Sequence, residues 1–298
     1  MSYSTEIQKT ARELLDSGQV NCVIGYEVGP RGRTRPAFIY EPEQAARLVW
    51  NQACTHNLTT YLDEKLAAQQ TASGPVDTNR VAVVIKTCDS RAVNVMLAEK
   101  RFPRQQVHLI GVVCEGILAG AGKFSYPGSQ ESGHYQSRCQ RCQERTPLVY
   151  DTLIGKPSDP PPGYAVQSDP SDLEELQSLT PAQRSEFWLS QFDRCIRCYA
   201  CRQACPVCDC PTCLYERDDS LWVGMGIGLN EKRAFHLGRA FHLAGRCVGC
   251  DECERVCPME IPISLLNRRL AQEIEAAFGY RAGVAADPPP FVTVLDDR

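Results

Sequence analysis

Two copies of one cysteine pattern constrain this chain more than anything else in it. Cys195, Cys198, Cys201 and Cys205 follow C-x2-C-x2-C-x3-C, with Pro206 next. Cys247, Cys250, Cys253 and Cys257 repeat the spacing, with Pro258 next. This is the ligand pattern of bacterial two-cluster ferredoxins. Geometry explains it. Three thiolates two residues apart line a loop that wraps one face of a cubane, and a helix carries the fourth away to the other cluster. Zinc sites complete a tetrahedron from separated pairs, so three cysteines within one short loop, repeated, favour iron. The expected pairing is crossed. One 4Fe–4S cluster takes Cys195, Cys198, Cys201 and Cys257, and the other takes Cys247, Cys250, Cys253 and Cys205.

The rest of the composition fits that use of sulfur. The chain has 298 residues and 17 cysteines. Its N-terminus is polar and helix-like and does not read as a secretory signal, so a cytoplasmic location is expected. Reducing compartments disfavour structural disulfides, which leaves metal binding or catalysis as the expected use of so many thiols. A net charge of −4 argues against a nucleic-acid partner. No apolar run approaches the length of a transmembrane helix.

The two motifs are separated by a long stretch, Cys205 to Cys247, that is helix-like towards its end. This gap resembles the alpha-helical ferredoxins of succinate dehydrogenase and heterodisulfide reductase iron–sulfur subunits. Two such clusters make a wire with no substrate of its own. Cys208, Cys210 and Cys213 lie inside the gap and read either as an additional metal site or as thiols packed near a cluster. Arg194, Arg197, Arg202, Arg246 and Arg255 surround the motifs.

The N-terminal half reads as an α/β domain. Residues 5–17 have helical spacing, Cys22–Tyr26 and Ala37–Tyr40 suit strands, and Pro42 opens a helix running through Trp50. A further helix covers 58–70. Val81–Ile85 is a β-branched run and 107–113 a second buried strand, around a helix at 90–100, which predicts a parallel pair with a crossover. Such a pair places Cys88 and Cys114 at one sheet edge, where α/β proteins bind ligands. Cys139 and Cys142 add a C-x2-C pair. Four thiols from three loops offer a third 4Fe–4S site, or are scattered buried cysteines. Cys22 and Cys54 read as buried thiols. The expected domains are 1–156 (α/β), a Pro-rich linker 157–170, an all-α dicluster domain 171–282 and a tail 283–298.

A family resemblance joins these features. Thr87-Cys88-Asp89-Ser90-Arg91-Ala92, then Ile110-Gly111-Val112-Val113-Cys114-Glu115-Gly116, then Arg138-Cys139-Gln140-Arg141-Cys142 with Tyr150–Gly155 follow one another. Their order and strand context resemble the beta subunits of deazaflavin-dependent hydrogenases and formate dehydrogenases. Leu15–Asn21 resembles the N-terminal segment of that family. Thr87 and Asp89 stand where the family has Pro and Gln. The resemblance implies FAD beside a 4Fe–4S cluster on Cys88, Cys114, Cys139 and Cys142. It implies two-electron chemistry at the flavin and one-electron transfer to the clusters. It also implies partner subunits of a formate dehydrogenase, hydrogenase or heterodisulfide reductase-like complex.

No Gly-x-Gly-x-x-Gly fingerprint is present. Lys123, in Gly120-Ala121-Gly122-Lys123, and Lys86 and Arg91 are the candidate flavin or phosphate contacts. The reading is an iron–sulfur, flavin-containing electron-transfer subunit. Its rivals are a flavin-free iron–sulfur connector, a sulfite reductase or sulfhydrogenase-like reductase subunit, and a zinc-rich interaction module.

Overall fold

The structure is a computed structural model that describes residues 2–70, 80–119, 135–157, 171–217, 219 and 223–290. The chain divides into two compact units. The Gly120–Lys123 segment and the Pro-rich stretch 158–170 lie outside the described residues.

The first unit is built on a five-stranded sheet in the order β2-β1-β3-β4-β5. β1 (Cys22–Val28) pairs antiparallel with β2 (Thr34–Ile39) and parallel with β3 (Val81–Ile85). β3, β4 (Val107–Val112) and β5 (Thr152–Ile154) continue the sheet in parallel. Every residue of β3 is buried, as a central strand covered on both faces requires. α1 (Tyr3–Asp16) begins where Ser2 Oγ accepts the Thr5 N–H, and its buried face is Ile7, Ala11 and Leu14. α2 is Thr60–Gln70.

Two local expectations are corrected. The segment from Pro42 forms only a short 3-10 turn, Pro42–Arg47. The chain then extends, because Leu48 bridges to Glu27 and the Val49 N–H bonds Tyr26 O at 2.8 Å. Pairing with β1 thus wins over helix continuation. α3 (Thr87–Ala98) starts three residues before the predicted helix. The Asp89 carboxylate accepts the Lys86 N–H at 3.2 Å and so closes the first turn. Cys88 therefore sits on a helix turn, not on a loop.

In the register Val81↔Val107 through Ile85↔Gly111, β3 and β4 end together. Cys88 and Cys114 follow those ends on one sheet edge, and Cys139 lies on the short α4 (Ser137–Gln140). Gly283–Pro288, in the segment read as a tail, belongs to this unit. Asn94 Nδ2 donates to Gly283 O at 3.0 Å. Gly283 has φ 73° and lies so close to the Arg91 backbone that a Cβ would meet Arg91 O at 2.2 Å.

The described residues of the second unit contain helices and no strand. They are α5 (Ser171–Ser178), α6 (Pro181–Asp193), α7 (Ala200–Gln203), α8 (Leu229–His242), α9 (Glu252–Arg255) and α10 (Ile263–Phe278). Thr180 and Gln183 form a reciprocal capping box at α6, with Pro181 in the first turn. α6 packs on α8, the short α7 on α9, and α10 on α5, α8 and α9. Among the described residues no helix is long and apolar enough to cross a membrane.

Candidate metal centres

The two C-terminal motifs wind in the same way. Arg197 and Gly249, each two residues after the first cysteine, have φ 51° and 67°. Tyr199 and Asp251, each one residue after the second cysteine, have φ 57° and 50°. Left-handed residues alternating with ordinary ones curl successive N–H groups towards one side, forming a concavity that suits an anionic iron–sulfur group. Two of these positions, Arg197 and Tyr199, carry side chains that disfavour left-handed backbone, and such local strain collects at functional sites. The Arg197 N–H meets Cys195 Sγ at 3.3 Å, and the Ile261 N–H meets Cys257 Sγ at 3.5 Å.

The thiols sort into groups by which charges they feel. Burial pushes Cys201 up to about 12; Arg239 opposes the shift, and Cys195, Cys257 and Cys198 add to it. Cys195 is raised by burial and then by Cys257 and Cys198. Cys247 is pushed up to about 11 by burial, against the Gly249 N–H, with Cys205 adding. Burial also holds Cys250 and Cys253 well above the thiol range, and Cys205 acts on both. Cys205, Cys247, Cys250 and Cys253 line one enclosed cavity with Arg239 and Arg268. Cys257 thus lies with the first tripod and Cys205 with the second.

The N-terminal cysteines also converge. Burial drives Cys114 up to about 12, with Cys139 the next cause and Cys142 a further one. Cys88 is raised by burial and by Asp89, and also feels Cys114. The Ile117 N–H meets Cys139 Sγ at 3.3 Å. Cys22 and Cys54 lie in the hydrophobic core instead.

The donor chemistry of all three groups fits an iron–sulfur cluster. Closely spaced, buried thiols resist ionisation until a metal supplies positive charge and removes the protons. Backbone N–H groups aimed at sulfur stabilise the thiolate that results. Among the described residues no three His, Cys, Asp or Glu side chains close on one point as ligands of a single ion.

Cys208 is pushed up to about 11 by burial and by Cys205. Cys210 is exposed, and Cys213 packs with Tyr215 and Phe235. Cys210 is a smaller cause of the rise at Cys208.

The candidate flavin contacts have different settings. Lys86 is fully buried, and its ammonium donates to Tyr26 OH and Asp89 Oδ2, each at 2.9 Å, and to His56 O. Those partners occupy all three of its protons. Burial is the largest single influence and opposes its charge, but Asp89, Tyr26 and Cys88 together outweigh it and hold it firmly protonated. Lys86 is therefore one half of a buried ion pair whose carboxylate, Asp89, weighs more on Cys88 than the ammonium does. Arg91 is half-buried on α3, and Lys123 lies outside the described residues. Sequence reasoning missed an open pocket of about 210 Å³ lined by Tyr3, Trp50, Asn51, Gln52, Cys114 and Glu115 among others. It borders the ends of the parallel strands, but its aromatic residues come from elements with no motif to mark them. Arg239, also missed, carries its signal only in α8's helical register, 3 residues after His236.

No family model matches the chain. It is 36% identical to the F420-dependent formate dehydrogenase subunit beta of Methanocaldococcus jannaschii, over 72% of this chain and 76% of that relative. It is 39% identical over 105 residues to the F420-dependent formate dehydrogenase 1 subunit beta of Methanococcus maripaludis, covering 35% of this chain and 26% of that one. The likeness read from the segments around Cys88, Cys114 and Cys139 is borne out: the chain belongs to the family of F420-dependent formate dehydrogenase beta subunits.

Proposed function

We propose that this protein is an electron-transfer subunit of a formate dehydrogenase-type complex, joining a two-electron site at FAD to a partner subunit through three 4Fe–4S clusters. What supports the reading is which cysteines act on one another: Cys195, Cys198 and Cys257 on Cys201, Cys205 on Cys247, Cys250 and Cys253, and Cys88, Cys139 and Cys142 with Cys114. Cys195, Cys198, Cys201 and Cys257 hold one cluster, and Cys205, Cys247, Cys250 and Cys253 a second. Cys88, Cys114, Cys139 and Cys142 hold a third. Flavin converts paired electrons into single ones, and the cubanes carry single electrons. The chain's own part is to bind, space and insulate these groups.

The pocket bounded by Tyr3, Trp50 and Cys114 supports a flavin beside the third cluster. Its volume is below the ~300–1,000 Å³ usual for small-molecule sites. Tyr3, Trp50 and Cys114 would line the part of the flavin that it holds. Lys86 directs its protons at Tyr26, Asp89 and His56 and does not line this pocket. The family relatives are named for a deazaflavin, and a reduced deazaflavin is the natural two-electron donor to test.

Anaerobic protein mixed with reduced deazaflavin in a stopped-flow cell provides the test. Flavin absorbance falls first and cluster absorbance follows, with two electrons delivered per donor. Clusters that respond to dithionite while no extractable flavin is present would instead make the chain a flavin-free connector.

A further inference from the structure

The arginines around the C-terminal motifs are not equivalent. Arg202 pairs with Glu216 at 3.1 Å, Arg246 with Asp209 at 3.0 Å and Arg255 with Glu252 at 2.7 Å. Arg197 is spent on backbone carbonyls, donating to Gly224 O, Gly226 O and Tyr215 O. Arg239, on α8, differs from all of these. It is 4% exposed, and among the described residues no carboxylate pairs with it. Its Nη2 donates to Cys201 O at 2.9 Å, which ties it to the first tripod. Its side chain also lines the cavity of Cys205, Cys247, Cys250 and Cys253. Its Nε–H is buried with no hydrogen-bond partner among the described residues. A buried cation without a carboxylate is costly unless another negative charge answers it. Here the answering charges are sulfurs: Cys205 and Cys253 of one group and Cys201 of the other, with Cys208 beside them, all favour its charged form.

We propose that Arg239 is a shared positioning residue whose buried guanidinium raises the reduction potentials of both C-terminal clusters together. The inference rests on the two-cluster reading above. Adding an electron makes a cluster more negative, so a nearby fixed cation stabilises the reduced form. Poor solvent screening in a buried site enlarges the effect. One cation facing two clusters moves their potentials in the same direction and keeps them matched, so electrons pass between them without a large uphill step. An arginine serves better than a titrating group because it stays charged at every working pH.

The test is a dye-mediated potentiometric titration, followed by EPR, of the full-length protein. Wild type is compared with Arg239→Gln, which removes the charge and keeps a donor, and with Arg239→Lys, which keeps the charge. Iron per chain is measured on each. The wild type must first show two C-terminal cluster signals; without them the two-cluster reading fails, and that failure is visible before any variant is made. In Arg239→Gln, both clusters become harder to reduce. Each oxidised-to-reduced ratio at a fixed potential rises about tenfold, which is ~59 mV for a one-electron couple. Arg239→Lys stays within about threefold of wild type for both, on the charge logic that lysine preserves. Unchanged potentials in Arg239→Gln, or a shift in one cluster only, would overturn the proposal. An equal fall in both variants would overturn it too. If Arg239→Gln sheds iron, Arg239→Lys decides: retention of both signals with small, same-sign shifts supports the charge role. Loss of iron from both variants would make the residue merely structural.

Discussion

Arg197 and Gly249 occupy the same left-handed position, φ 51° and 67°, in two loops 52 residues apart in sequence. The two loops solve one problem twice: turning three cysteines and their N–H groups inward. Only one of them uses glycine. A Cβ on Gly249 would meet nothing within 4 Å, so Gly249→Ala pays only for the backbone. The expected cost is about 1–2 kcal/mol, measured as a lower thermal midpoint of the holoprotein and faster cluster loss. Gly249→Asn should cost less, since Asn tolerates this region. An Ala variant as stable as wild type would remove the argument for a shared loop geometry.

The crossed arrangement makes a prediction that sequence order alone would not. Cys257→Ser should alter the same EPR signal as Cys198→Ser, although Cys257 lies in the other motif. Cys205→Ser should alter the signal changed by Cys250→Ser. If Cys257→Ser instead tracks Cys250→Ser, each motif holds its own cluster.

Behind the N-terminal cysteines, the Lys86–Asp89 pair is 1% and 0% exposed. Lys86→Met strands the carboxylate, and breaking a buried pair from one side costs about 3–5 kcal/mol. Replacing both residues with apolar ones should recover much of that loss. Denaturant unfolding of both single variants and the double checks it; a double loss equal to the sum of the two single losses would show no coupling.

His236 gives a pH test. It stacks on Phe192 with ring centroids 4.7 Å apart. Burial, then Arg239 and Arg197, depress it from 6.5 to about 4. The unfolded chain therefore binds the proton first, and stability present above pH 6.5 is lost as pH falls towards 4. Between pH 7.5 and 5.5 the loss from this group is about 1 kcal/mol. His236→Phe should remove that slope from thermal melts. An unchanged slope would mean the imidazole is not the group responsible.

Much of this site was legible in the sequence, for identifiable reasons. Cys-x2-Cys spacing is local, so both tripods and their crossed fourth ligands could be inferred from ligand geometry. The apolar runs of β3 and β4 placed Cys88 and Cys114 on one edge. The rest depends on tertiary partners. Leu48 leaves its helix because β1 lies beside it. Cys88 joins a helix because Asp89 caps it. Lys86, which looked like a flavin contact, is consumed by Tyr26 and His56, which are distant in sequence. Arg239 looks like any surface arginine until α8 is packed between two sets of thiols.

Iron, acid-labile sulfide and flavin per chain, measured on anaerobically purified protein, test the central claim most directly. The account predicts about twelve irons, about twelve sulfides and one FAD, with about four irons lost from Cys88→Ser while the two C-terminal signals remain. Zinc without labile sulfide, or full iron retained in Cys88→Ser, would contradict it.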